Sequence, residues 1–181
     1  GEELPVLVGL CEVENKAVVE RLVRGTALKS ADYGVAHHDS PDERGVDVGL
    51  LFDQDIFQLV RSEALKVPLG DDRTRDILHA ELRSRGHTFH VFVNHWPSRR
   101  EGQEKSEPKR MAAARVLKSA VEGLPVSEDH HVIIMGDFND TPLDRSIQEG
   151  LGAGCALDND HRLVDLMCLD QPQGHGSHQY N

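Results

Sequence analysis

The sequence predicts a layered α/β protein in which helices cover sheets of buried strands. Three short stretches are almost wholly apolar, at 6–11, 46–52 and 132–135. A strand that is apolar on both faces is covered on both faces. The first stretch is followed at 17–24 by a helical pattern that stops at Gly25. A strand followed directly by a helix favours layers of both kinds over an all-β sandwich.

The remaining strands follow from alternation and turn signals. The segment 87–94 alternates Phe89, Val91 and Val93 with the residues between them, which is typical of a strand. We expect it to be the second arm of a hairpin. The predicted strands besides these are 33–38, 56–67, 76–82 and 163–167.

Two further helices are expected. Ser106 is a suitable N-cap, with Pro108 in the first turn that it would begin. Thr141 and Pro142 are expected to open a second, short helix. The apolar face of the first helix comprises Met111, Ala114, Leu117 and Val121.

Composition describes an ordinary globular domain. The 181 residues suffice for one domain with a sizeable core, and no apolar run approaches a membrane span. The formal charge of −11 opposes tight, non-specific binding to a polyanion. The first residue is Gly, so we expect the chain to begin inside a larger gene product or after processing. The compartment stays open between the cytoplasm and export after removal of a signal.

The cysteines form neither a zinc site nor a disulfide framework by their spacing. Cys11 lies in an apolar strand and is expected to be a buried thiol. A bridge between Cys155 and Cys168 would require export, and we do not expect it.

The chemistry is concentrated where the apolar strand 132–135 ends. Gly136 is followed by Asp137 and Asn139, which are two residues apart and point to the same side if the backbone stays extended. A carboxylate beside a carboxamide can polarise a water and hold a phosphate oxygen. The alternative is an Asp/Asn turn that simply closes the strand.

Four motifs in order resemble one family. They are CEVEN at 11–15, RGVDVGLL at 44–51, NHWPSR at 94–99 and GDFND at 136–140. Together they resemble the endonuclease/exonuclease/phosphatase superfamily with its DNase-I-like fold. The resemblance implies a four-layer α/β-sandwich of two packed, mostly antiparallel β-sheets flanked by helices. It also implies one domain over 1–181 that lacks the family's first and last strands.

The resemblance implies a Mg²⁺-dependent phosphoesterase, with Mn²⁺ as a substitute. Glu12 resembles the metal-binding carboxylate, and Asp137 the residue that orients or deprotonates the attacking water. Asn139 resembles its partner on the phosphate side, and His95 the imidazole that contacts the scissile phosphate or protonates the leaving oxygen. Asp47 resembles the acid that supports this histidine.

Asp165 resembles the acid that orients a second catalytic histidine. That histidine follows a Ser/Thr-x-x-Tyr strand in the family, and 177–181 resembles this strand before the chain stops. His178 is therefore not assigned the missing role. His175 and His178 would bind a transition metal only adventitiously.

Substrate contacts are expected from Asn94, Arg99 and Asn139. A basic cluster near His95 either contacts a phosphate backbone or is a solvated helix start interleaved with acids. Its members are Arg99, Arg100, Lys105, Lys109 and Arg110.

Three further assignments concern acids and histidines. Glu14 is either a second metal ligand or a solvated acid. The histidine pairs 37–38 and 130–131 are expected to be loop or edge residues, since neighbours in a strand face opposite ways.

The predicted function is hydrolysis of a phosphodiester, with DNA or RNA as the first substrate. The alternatives are a phospholipid or phosphoinositide phosphoesterase, and a non-catalytic member of the fold that binds a ligand. The sequence does not indicate an oligomeric state.

Overall fold

The computed structural model describes residues 4–155 and 163–168. Its two α-helices are α1 (Lys16–Gly25) and α2 (Gln103–Glu122). The longer strands are β1 (Leu7–Val13), β2 (Tyr33–His37), β3 (Asp47–Asp53), β4 (Gln58–Leu65), β5 (Ile77–Ser84), β6 (His87–His95) and β7 (His130–Asp137). Two-residue strands follow at β8 (Ala153–Gly154) and β9 (Leu163–Val164). Short 3-10 turns span Ala27–Ser30, Arg99–Glu101 and Leu166–Cys168, and a π-helical turn spans Ser146–Leu151.

The longer strands form two sheets. The first sheet has the order β1-β3-β2 and is antiparallel throughout. The second has the order β4-β5-β6-β7, in which β6 and β7 are the parallel pair. Parallel neighbours need a long crossover, and here α2 lies in it. The prediction of two mostly antiparallel sheets is confirmed.

The sheets pack face to face over an apolar core that includes Leu50, Phe52, Leu82 and Val91. Val19 and Val23 of α1 cover the outer face of the first sheet. Ala114 and Leu117 of α2 cover the outer face of the second. The order of layers is therefore helix, sheet, sheet, helix, and the predicted four-layer α/β-sandwich is confirmed.

Helix α2 begins three residues before the predicted cap. Gly102 occupies the cap position with φ of 95°, which favours glycine. The Ser106 hydroxyl instead donates back to the Gly102 carbonyl at 2.6 Å, and Ser106 is buried. Pro108 consequently lies inside the helix, where it removes one helical hydrogen bond. The expected cap was wrong because local hydroxyl-to-carbonyl bonding competes with capping.

The predicted helix at Thr141 is also corrected. The backbone N–H and hydroxyl of Thr141 donate to Asp144 Oδ2 at 2.6 and 2.8 Å, which closes a turn. Helical structure begins only at Ser146.

The last described segment differs from its prediction. The expected strand 163–167 is a two-residue strand followed by a 3-10 turn. Cys155 and Cys168 are bonded as a disulfide with a Cα–Cα distance of 5.1 Å, contrary to our expectation. Gly154 pairs with Val164, which brings the two flanking segments together. None of the helices described is long and apolar enough to cross a membrane.

Candidate active site

The ends of β6 and β7 lie side by side. In their parallel register His95 pairs with Asp137, and Asn94 pairs with Gly136. The Trp96 N–H donates to the Asp137 carbonyl at 2.9 Å, which carries the pairing one residue further. As a result, His95 Nε2 lies 3.8 Å from Asp137 Oδ2. The sequence placed these residues 42 positions apart in two motifs, and the sheet brings them together.

Glu12 lies at the end of β1, beside the ends of β6 and β7. These three strand ends, with His95, Asp137 and Glu12, are called the rim. The register between β1 and β3 shifts between Cys11 and Val13, so Glu12 is the bulged residue. The Cys11 thiol donates to the Asn94 carbonyl at 3.4 Å, which ties the end of β1 to that of β6. The Glu12 side chain is 62% exposed, and its charge acts on His95 together with that of Asp137.

Left-handed backbone conformations mark this rim. Glu12 has φ of 58°, Asn139 of 50° and Gly136 of 127°. A Cβ at Gly136 would lie 2.0 Å from the Asn94 carbonyl oxygen, so only glycine fits. Strained conformations in folded proteins cluster at functional sites, and here they coincide with the polar rim.

Asp137 and Asn139 form a fixed turn. The Asn139 N–H donates to Asp137 Oδ1 at 2.9 Å, and the Asn139 Nδ2 donates to the Trp96 carbonyl at 2.9 Å. These bonds hold both side chains against the end of β6. They leave Asp137 Oδ2 as the carboxylate oxygen that faces His95.

Arg75 holds the end of β6, a role that sequence reasoning missed. Its guanidinium donates to the carbonyls of His95 and Trp96 at 3.2 and 2.9 Å. It also donates to Asp42 at 2.9 Å, and both side chains are 6% exposed. The pair thereby anchors the loop 40–45 to the rim. A single arginine before a strand carries no sequence signal for such a role.

A second missed feature is the buried carboxylate of Asp140. Its Oδ2 lies 2.7 Å from Arg110 Nε, and both side chains are fully buried. Its Oδ1 lies 2.8 Å from Arg99 Nη2, and Arg99 also pairs with Asp144 at 2.7 Å. The Ser146 hydroxyl donates to Asp140 as well. The position of Asp140 in the GDFND motif was the available signal.

These contacts bear on the basic cluster. Arg110 and Arg99 hold the Asp140 loop, and the Arg99 Nε donates to the Asn139 carbonyl at 2.5 Å. Lys109 pairs with Asp72 at 2.9 Å and with Glu101 at 3.3 Å. Lys105 lies 3.8 Å from Glu101. The alternative of a solvated helix start interleaved with acids therefore describes Lys105 and Lys109, whereas Arg99 and Arg110 support the Asp140 loop.

Asp47 contacts a different histidine from the one expected. It is buried, and its Oδ1 accepts from the Ser40 N–H at 2.9 Å and from the Ser40 hydroxyl at 2.5 Å. Its Oδ2 lies 3.3 Å from His37 Nε2. His95 Nδ1 is buried and has no hydrogen-bond partner among the described residues. Asp47 thus supports His37, since β2 and β3 are neighbours in the first sheet, whereas His95 belongs to the second.

Asn94 is fully buried, and its side chain bonds to Trp96 and to β7. The Trp96 Nε1–H donates to its Oδ1 at 3.0 Å, and its Nδ2 donates to the Met135 carbonyl at 3.3 Å. It therefore positions Trp96 and β7 in this structure.

Asp165 is held by contacts within its own segment and with Gly154. Its N–H donates to the Gly154 carbonyl at 2.9 Å, and its Oδ1 accepts from the Met167 N–H at 2.9 Å. The strand-like 177–181, His175 and His178 lie outside the described residues.

Two acid-rich groups are candidates for a metal. Glu12 and Asp137 offer the hard carboxylate oxygens that Mg²⁺ prefers, both half-exposed. His37, Asp39 and Asp47 form a second group, whose ligand atoms lie within 4.8 Å of one another.

The electrostatics of the rim favour a neutral imidazole. Burial lowers the pKa of His95, and the Arg75 charge lowers it further, while Asp137 and Glu12 act in the opposite direction. Burial likewise raises the pKa of the Cys11 thiol. An imidazole that is neutral near pH 7 carries one N–H, and its other nitrogen is an acceptor. The buried Nδ1 has no hydrogen-bond partner in the described part of the chain, and an unpaired acceptor there is less unfavourable than an unpaired N–H donor. This assigns the proton of His95 to Nε2, which faces Asp137.

The four layers and the polar rim define an α/β-sandwich of the DNase-I-like fold. The chain belongs to the Endonuclease/Exonuclease/phosphatase family, whose model matches residues 1–181. Members of this family are phosphoester hydrolases. Among curated proteins no match is found.

Several solved structures share the fold. D. rerio TDP2 complexed with a single-strand DNA product is 21% identical with a TM-score of 0.62, covering 81% of this chain and 52% of that one. The human Nocturnin catalytic domain with a bound sulfate anion is 20% identical with a TM-score of 0.61, covering 80% and 55%. ANGEL2, a 2′,3′-cyclic phosphatase, in complex with adenosine-2′,3′-vanadate is 16% identical with a TM-score of 0.63, covering 79% and 42%. The chain spans about half the length of these proteins, and at such identities the likeness establishes the fold.

Proposed function

We propose that this protein is a metal-dependent phosphodiesterase that cleaves a nucleic-acid phosphodiester by attack of water. The observation that carries the proposal is the parallel pairing of β6 and β7. It places His95 Nε2 3.8 Å from Asp137 Oδ2 on the rim that also bears Glu12. An acid, an imidazole and an exposed carboxylate at one rim are the groups that metal-assisted hydrolysis uses.

Glu12 is the proposed ligand of Mg²⁺, with Mn²⁺ as a substitute. The fit rests on the donor set, because a carboxylate that is 62% exposed can enter the shell of a hard cation that keeps most of its waters. When bound, the ion supplies positive charge that stabilises the phosphate oxygens.

Asp137 is the proposed acceptor that orients the attacking water. Its Oδ1 is occupied by the Asn139 N–H, so the rigid turn leaves Oδ2 to accept a proton from water. The neutral His95 is proposed to donate a hydrogen bond from its Nε2–H to a phosphate oxygen, whereas protonation of the leaving oxygen, the alternative role, would require the imidazolium form. Its low pKa suits a hydrogen-bond donor that stays neutral at pH 7.

The other assigned residues act around this centre. Asn139 is proposed to contact the phosphate, and Asp165 to orient a second histidine. Arg99 and Asn94 support substrate binding by positioning, since Arg99 holds the Asn139 carbonyl and Asn94 holds Trp96. Asp47 stabilises β2 through His37.

The proposed substrate class, nucleic acid, rests on the ligands of two structural neighbours. One structural neighbour holds a single-strand DNA product, and another holds an adenosine vanadate. The low affinity expected from a charge of −11 suits an enzyme that binds its substrate locally and through a metal.

The test is nicking of supercoiled plasmid by the full-length protein with Mg²⁺. We expect cleavage that EDTA abolishes, and a loss of at least about a hundredfold in Asp137→Asn and in His95→Gln. Asp71→Asn, an exposed aspartate on a loop, is the matched control. Full activity in both rim variants would contradict the mechanism. Cleavage of phospholipids alone would replace nucleic acid as the substrate class. Failure to cleave any phosphoester would overturn the assignment as an enzyme.

A further inference from the structure

Arg44 is the arginine on the loop 40–45 that faces Glu12. Its Nη1 lies 3.6 Å from Glu12 Oε1, and its Nε lies 3.6 Å from Asp42 Oδ1. Its side chain is 43% exposed, and its charge is among those that lower the pKa of His95. Arg44 therefore lies at the same rim as Glu12, Asp137 and His95.

The loop that carries Arg44 is fixed in place. The Arg44 N–H donates to Asp42 Oδ1 at 3.1 Å, and the buried Asp42 pairs with Arg75 at 2.9 Å. Gly45 follows with φ of 65°, which closes the turn before β3. The backbone of Arg44 is thus anchored while its guanidinium stays accessible, so the side chain can change partner without reordering the loop.

The guanidinium of Arg44 makes longer contacts than those of Arg75 and Arg99. Arg75 and Arg99 make contacts of 2.5–3.2 Å to carbonyls and carboxylates. Both ion pairs of Arg44 are 3.6 Å long, beyond the 2.7–2.9 Å range typical of charge-assisted hydrogen bonds. The pair with Glu12 is exposed on both sides, and exposed ion pairs contribute little free energy.

We propose that Arg44 is the exchangeable counter-ion of Glu12 and a further phosphate contact of the metal-loaded site. Without a divalent cation its guanidinium neutralises Glu12. When the cation binds Glu12, the guanidinium is released and donates to non-bridging oxygens of the substrate phosphate. A guanidinium fork matches a phosphate in a way that a point charge does not. This inference rests on the proposed function. It makes Arg44 a residue that determines the specificity of the site for phosphoesters.

The first test is direct Mn²⁺ binding, measured on the full-length protein by electron paramagnetic resonance of free Mn²⁺. Arg44→Gln removes both the competing and the repelling charge, so we expect binding about two- to fivefold tighter than wild type. Arg24→Gln is the matched control, because Arg24 also forms an exposed 3.6 Å pair, with Glu20 on α1. It should leave the Mn²⁺ dissociation constant unchanged.

The second test is phosphate binding to the Mn²⁺-loaded protein, by calorimetry with inorganic phosphate and by the KM for bis(p-nitrophenyl) phosphate. We expect Arg44→Gln to weaken both by roughly tenfold, which corresponds to a lost hydrogen bond to a charged group. Arg44→Lys keeps the charge but loses the fork. It should bind Mn²⁺ as wild type does and give an intermediate KM.

The outcomes separate the two proposals. Mn²⁺ binding that Arg44→Gln leaves unchanged, or phosphate affinity that it leaves unchanged, overturns the role of Arg44 while the phosphodiesterase stands. A wild-type protein that binds no Mn²⁺ overturns the metal site and the role of Arg44 together.

Discussion

Single residues at the rim are constrained by contacts with residues that lie outside their own sequence motif. Gly136 belongs to a recognisable motif, but its need for glycine comes from the Asn94 carbonyl on the neighbouring strand. Asp140 belongs to the same motif, and its burial is tolerable only because Arg110 and Arg99 reach it from α2 and the preceding turn. A buried carboxylate without such partners would be strongly unfavourable.

Gly136→Ala should destabilise the protein by about 3 kcal/mol or more, because φ of 127° and a carbonyl 2.0 Å from the new Cβ both oppose a side chain. Urea unfolding measures this change. Gly25→Ala is the control, since a Cβ there meets nothing within 4 Å. Equal stability of the two variants would contradict the geometry at the end of β7.

Arg110→Met should cost about 3–5 kcal/mol, because it leaves the buried Asp140 carboxylate with one arginine fewer. Arg145→Met removes the exposed pairs to Glu149 and Glu107, and should leave the unfolding free energy close to wild type. Thermal or urea unfolding of the pair of variants makes the comparison. A small effect at Arg110 would contradict the stabilising role of this buried pair.

Among the elements, the second sheet carries a row of histidines on its helix-covered face. Glu63 Oε1 lies 3.0 Å from His79 Nδ1, His79 Nε2 lies 3.1 Å from His90 Nδ1, and His90 Nε2 lies 3.0 Å from His130 Nδ1. These side chains come from four successive strands. With Glu63 ionised, three neutral imidazoles that each carry the proton on Nδ1 satisfy every link once. His130 was expected to be a loop or edge residue, and it lies on β7, the edge strand of the described sheet. Its ring nevertheless bonds to His90 and so belongs to this row.

Stability should fall as the pH drops below about 6.5. Burial lowers the pKa of His90, and the neighbouring His79 lowers it further. The unfolded chain therefore binds a proton at a higher pH than the folded chain, so the stabilisation is present above the unfolded pKa and is lost as pH falls towards the folded one. The other charged or titratable groups that act on the pKa of His90 are Glu81, His130 and Arg61.

Urea unfolding between pH 7.5 and 5 measures this dependence, and His90→Phe should flatten it. Nitrogen-15 NMR at pH 7.5 should show protonated Nδ1 in His79, His90 and His130. Protonated Nε2 in His90 would contradict the direction of the row.

At the scale of the whole molecule, charge and topology set how a substrate can bind. The formal net charge of the chain is −11, and few of the cationic side chains at the described rim are free of an acidic partner. Binding through a metal and one or two arginines is consistent with that balance, whereas wrapping of a polyanion is not.

The inactive Asp137→Asn protein should accordingly bind DNA with a shallow salt dependence. We expect the logarithm of the association constant to fall with the logarithm of salt with a slope between about −1 and −3, since few phosphates are contacted. Fluorescence anisotropy of a labelled oligonucleotide at several salt concentrations measures the slope. A slope steeper than about −5 would require a basic surface that the described residues do not show.

The sequence by itself determined the longer strands, the order of the motifs and the family. Apolar runs mark buried strands wherever they lie, and the DNase-I-like resemblance supplied Glu12, His95 and Asp137 as site residues. The tertiary structure alone decided which of them meet. Parallel pairing of β6 and β7 brings His95 to Asp137, and adjacency of β2 and β3 brings Asp47 to His37. Arg75 reaches the rim from a loop that no motif covers, and Arg44, although it opens the RGVDVGLL motif, meets Glu12 only in the folded chain. The physical reason is that periodicity records burial, which is local, whereas ion pairs and hydrogen bonds depend on distances that exist only after the sheets have packed.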